Sequence, residues 1–82
     1  MTERPPLHER LRGLHARRRA EGKEEDTIRH EMNAVARHHT VGYLHGEIAR
    51  LRDNPDAELD TVRHAIFDVI EERRELTQEI LR

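Results

Sequence analysis

Apolar side chains in this chain fall into three stretches with helical spacing, separated by polar punctuation. Leu7, Leu11 and Leu14 repeat at steps of four and three, which puts them on one stripe of a helix. Pro5 and Pro6 stand where a first turn does not need an N–H. Arg17, Arg18 and Arg19 crowd the far end, where cations complement exposed carbonyls, and Gly22 follows as a stop. The spacing predicts a first helix over 6–20.

The second stretch starts behind Glu24, Glu25 and Asp26, an acidic helix start with Asp26 as the expected N-cap. It then changes phase. Ile28, Met32 and Val35 share one face, whereas Val41, Leu44, Ile48 and Leu51 share another, roughly 180° away on a straight helix. Either one helix is sandwiched between two neighbours, or the chain breaks near His38–Gly42 and Thr40 caps a new helix. Gly42 weakens a helix by about 1 kcal/mol relative to Ala, so the two readings compete. The continuous helix, over 27–52, is the one adopted.

Asp53-Asn54-Pro55-Asp56 is the clearest break in the chain, with Asn54 placed to cap and Pro55 to take the first helical position. The third helix is expected over 55–81. Along it Leu59, Val62, Ile66, Val69, Leu76 and Ile80 form a heptad seam interrupted once by Arg73, and Phe67, Ile70, Thr77 and Leu81 widen the apolar face. Short connections predict antiparallel neighbours. The expected architecture is all-α: a flexible tail at 1–5, then a single helical domain over 6–82. In it the second and third helices form a long antiparallel hairpin beside a shorter first helix. The seam calls for a partner, so the domain is expected to assemble as an oligomeric helical bundle of coiled-coil type, a homodimer first, with the six seam residues as the interface.

Size strengthens that expectation. At 82 residues a single core is marginal, and with no cysteine no disulfide can reinforce it. One Tyr and one Phe are too few for base-stacking platforms. The chain shows neither a signal-peptide pattern nor an apolar run long enough to span a bilayer, so a cytoplasmic protein without membrane contact is expected. The net charge of −2 hides a segregation: residues 1–20 carry about +4 and residues 53–82 about −5. The two ends are complementary, within a chain or between chains. Arg10, Arg12, Arg17, Arg18 and Arg19 are the candidate phosphate contacts if nucleic acid is the partner.

Seven histidines are many for this length. Glu31, His38 and His45 lie seven apart on the continuous helix, about 10 Å between successive members, too far for one ion. A metal site at His38 or His45 would therefore have to recruit His64, His30 or a residue of a second copy across an interface. Alternatively the histidines sense pH: protonating all seven moves the formal charge from −2 to +5, and His39 shares the Ile28–Met32–Val35 face, where a charge would disturb a contact. Gly42 and Gly46 make a small notch that could seat a crossing helix or a bulky side chain.

Enzyme chemistry finds little support. The chain has no Ser, no Cys and no Gly-rich phosphate loop, and no cofactor is expected. Glu72-Arg73-Arg74-Glu75-Leu76, set inside 59–80, resembles the first helix of the all-helical chorismate mutases. In that family the helix opens the domain, and here it ends it, so no catalytic residue is carried over. The sequence leads to a non-enzymatic, self-associating adaptor or regulator of protein–protein interaction. The alternatives are a nucleic-acid-associated regulator working through the Arg-rich first helix, and a histidine-based metal or pH sensor.

Overall fold

The computed structural model describes the backbone of residues 5–80 and the side chains of residues 5–78. The expected tail up to residue 4, and Leu81 at the end of the last helix, lie outside the described residues. Among the described residues four helices follow one another: α1 Leu7–Ala20, α2 Glu25–Ala36, α3 Val41–Leu51 and α4 Ala57–Ile80. No strand occurs among the described residues.

The all-α class stands, but three helices do not. The expected continuous helix over 27–52 is two helices, with the chain leaving α2 at Arg37 and entering α3 at Val41. The phase change explains why. Ile28 and Met32 on one face and Leu44 and Leu51 on the other are all buried in one cluster with Leu59, Val62, Ile66 and Val69 of α4. A straight helix would aim one of those faces at water, and a corner lets both reach the same core. Thr40 starts the new helix, its hydroxyl accepting from the Tyr43 N–H at 3.2 Å.

The other boundaries follow local chemistry. Gly22, with φ of 81°, closes α1. Its N–H bonds to the Arg19 carbonyl at 3.0 Å and that of Lys23 to the Arg18 carbonyl at 3.0 Å, the two bonds of a Schellman ending. Glu24, not Asp26, holds the N-cap position of α2, and Asp26 sits within the first turn, where its charge still meets the positive end of the helix. α4 begins two residues later than expected. Asn54 accepts from the Asp56 N–H at 3.0 Å and Asp56 from the Glu58 N–H at 3.0 Å, so successive side chains cap the start.

α4 has 24 residues against 12 in α2 and 11 in α3, so at about 1.5 Å per residue it is as long as those two end to end. α1, α2 and α3 all pack on it, and α1 packs on α2 as well. The expected two-helix hairpin is therefore replaced by a bundle around one spine, with a radius of gyration of 13.4 Å. Leu7 and Leu11 of α1 are fully buried in its core.

Candidate functional site

The six seam residues divide. Leu59, Val62, Ile66 and Val69 are at most 4% exposed, their apolar surface covered by α1, α2 and α3 of the same chain. Leu76 is 54% exposed, and the side chain of Ile80 lies outside the described residues. Arg73 interrupts the seam for a structural reason: its guanidinium donates to the backbone carbonyls of Arg37 and His39. These carbonyls belong to the corner where α2 ends, so a cation inside the apolar row satisfies acceptors that the helix break leaves open.

Polar ties hold α2 to α4 along one edge. Arg29 makes two bonds to Asp68, at 2.6 and 2.7 Å, and Arg37 makes two to Glu72, at 2.9 and 3.3 Å. Between them the buried Asn33 donates to the Ala65 carbonyl at 2.8 Å and to Asp68 at 3.3 Å. The Arg29 hydrogen bond holds the Asp68 carboxyl below the usual carboxylate range; Asn33 and the fields of Arg29 and His64 help, and burial opposes them.

The arginines of α1 face acids. Arg12 pairs with Glu58 at 3.0 Å and Asp56 at 3.3 Å, Arg18 with Glu31 at 2.8 Å and Glu21 at 3.1 Å, and Arg19 with Glu25 at 3.7 Å. Arg10 points a terminal nitrogen at Nε2 of His39, 2.8 Å away, and Arg17 lies in a groove with Glu9, Arg10, Leu14 and Val35. Of these arginines, among the described residues, Arg12 alone meets acids of the 53–82 stretch, whereas Arg18 and Arg19 meet acids between 21 and 31.

The histidines are dispersed. His38, His45 and His64 are exposed, and among the described residues no three His, Cys, Asp or Glu side chains converge as a metal ion would require. His39 stacks on Tyr43, ring centres 4.5 Å apart, and His15 meets Glu25 at 3.0 Å. Glu47, 1% exposed, takes Nδ1 of His8 at 2.6 Å. The glycine notch is open: a Cβ at Gly42 or Gly46 would meet nothing within 4 Å.

One concave surface has the character of a binding site. Between the start of α3 and the outer half of α4 runs a groove of about 530 Å³, with Val41, Phe67 and Ile70 as its apolar part and His45, Glu71, Arg73, Arg74, Thr77 and Gln78 around them. Phe67 is 50% exposed and Val41 37%. Among the described residues Phe67 is thus one of the few large apolar side chains left open to water, with Val41, Tyr43 and Leu76, while the core around Ile66 and Val69 is closed. Phe67 was legible in the sequence only as a residue flanking the seam. It stays half open on the groove it shares with Val41 and His45 of α3. Glu47 carried a clearer signal: it is an acid placed between Leu44, Ile48 and Leu51 at helical spacing.

The chain matches no protein-family model, no curated protein and no solved structure. Among the described residues no helix is long and apolar enough to cross a membrane.

Proposed function

We propose that this protein is a small non-enzymatic interaction module that pairs with a second copy of itself through the outer half of α4, and in that form acts as an adaptor or regulator in the cytoplasm. The observation that carries the reading is the α3–α4 groove with Phe67 half open to water. Covering the exposed half of this ring is favourable by about 0.8–1.5 kcal/mol, half the value for burying a whole side chain, before any other contact forms. The interface differs from the full seam expected from the sequence, because the inner four residues of that seam are occupied within the chain.

Sedimentation of the 82-residue chain across protomer concentrations tests this. A concentration-dependent shift to dimer, lost in Phe67→Glu with helix content unchanged, supports the reading. A chain that stays monomeric up to about 1 mM, where even a weak contact would be populated, defeats it.

A second reading has one observation in its favour: α2 and α3 are joined by the short corner 37–40, a connection that DNA-binding helix pairs also use. Against it, Arg12, Arg18 and Arg19 already face carboxylates. Titration of random-sequence duplex at low salt separates the two. The interaction module shows no salt-dependent binding, whereas a nucleic-acid regulator loses affinity steeply as salt rises.

A further inference from the structure

The exposed face of α4 carries a charge pattern that is complementary to itself. Phe67, Glu71, Arg74 and Gln78 recur at steps of four, three and four, the spacing of a coiled-coil seam, and all four line the groove. The side chains of Glu71 and Arg74 are 43% and 69% exposed, and their own ion pair is loose, with 3.9 Å between nitrogen and oxygen. An exposed pair so spaced contributes little within the chain, so re-pairing these charges elsewhere gives up little.

A second copy laid antiparallel on this face can take one register in which every position finds a suitable neighbour. When Glu71 of one copy opposes Arg74 of the other, two-fold symmetry makes Arg74 of the first oppose Glu71 of the second. The same register sets each Phe67 against the Gln78 of the other copy, beside its Thr77, where the stems of those two side chains can cover the part of the ring left open. A face with its acid and base on either side of one centre is what a closed two-fold contact needs, since the same patch must serve both partners. Shifting the helices by one turn sets like charges closer together, so the charge pair also fixes the register.

Resting on the self-association reading, we propose that α4 pairs with α4 of a second copy, antiparallel about a two-fold axis between Glu71 and Arg74, with each Glu71 facing the other copy's Arg74. The occupant of each copy's groove is thereby the outer part of α4 of the other copy.

Charge exchange tests the register. In sedimentation of the full chain, Glu71→Arg alone and Arg74→Glu alone each weaken dimerisation about tenfold, because each places two like-charged pairs at the centre. An equimolar mixture of the two variants recovers dimers near the wild-type affinity, as does the double variant Glu71→Arg/Arg74→Glu. Circular dichroism confirms unchanged helix content, as expected for substitutions at open positions. If the wild type dimerises and Phe67→Glu abolishes it, but neither the mixture nor the double variant recovers pairing, the register is wrong while self-association stands. If the wild type remains monomeric, the self-association reading falls and the register with it.

Discussion

Nδ1 of His8, in α1, lies 2.6 Å from Oε2 of Glu47, an α3 carboxylate only 1% exposed. The other oxygen of Glu47 has no hydrogen-bond partner among the described residues, and the nearest cation, Arg50, is 4.0 Å away. The imidazole is thus the one close partner of a buried acid. Nearby, the Tyr43 hydroxyl accepts from the Leu7 N–H at 3.3 Å, so α1 and α3 are joined twice at this end. Removing the imidazole strands the acid. His8→Ala is expected to destabilise the chain by about 2–3 kcal/mol, whereas replacing both partners by leucine is close to neutral, since a buried pair is worth little against apolar groups of similar volume. Urea unfolding of His8→Leu, Glu47→Leu and the double variant gives the coupling directly, and additive single effects would contradict the pairing.

The glycines separate conformational need from tolerance. Gly22 holds a φ of 81°, where an L side chain is strained, so Gly22→Ala is expected to lower stability by about 1–2 kcal/mol. Gly46 lies inside α3 with nothing within 4 Å of an added Cβ, and Gly46→Ala should raise stability by up to about 1 kcal/mol. Thermal melts of the two variants moving in opposite directions would establish the contrast.

Acid acts on the α2–α4 edge. Because Arg29 and Asn33 hold the Asp68 carboxyl below its ordinary range, the folded state binds that proton less readily than the unfolded chain. The sign follows. This contribution is fully present above the ordinary aspartate value of about 3.9 and is lost as pH falls through the lower folded value. Glu72, held low by Arg37, acts in the same direction at the surface. Urea midpoints measured from pH 6 down to pH 2 should fall for the wild type and fall less steeply for Asp68→Asn. Equal slopes would remove Asp68 from the account.

Thr40 marks the corner. Thr40→Ala removes the oxygen that takes the Tyr43 N–H and should cost about 1 kcal/mol, read as a loss of thermal stability with little change in helix content.

Much of the fold could be read from spacing alone. The first helix, its stop at Gly22 and the break at 53–56 come from local chemistry that short segments settle for themselves. The corner between α2 and α3 was visible too, as the phase change between Met32 and Leu44. Whether the chain bends there depends on what lies against both faces, and that is a long-range matter. α4 decides it, by offering one apolar row long enough to receive both. The same long-range fact governs the candidate site. Leu59, Val62, Ile66 and Val69 look from sequence no different from Leu76, and only the footprint of the three shorter helices separates the covered from the open. Arg73 is the instructive case: an interruption in the heptad row is the residue that ties down the corner.

That tie has a mechanical consequence. Arg73 stands next to Arg74 on α4 and reaches the carbonyls of Arg37 and His39, far away along the chain. Whatever grips the outer half of α4 therefore also steadies the bend, and amide exchange at His39 and Thr40 should slow when that half is occupied, though neither residue lines the groove.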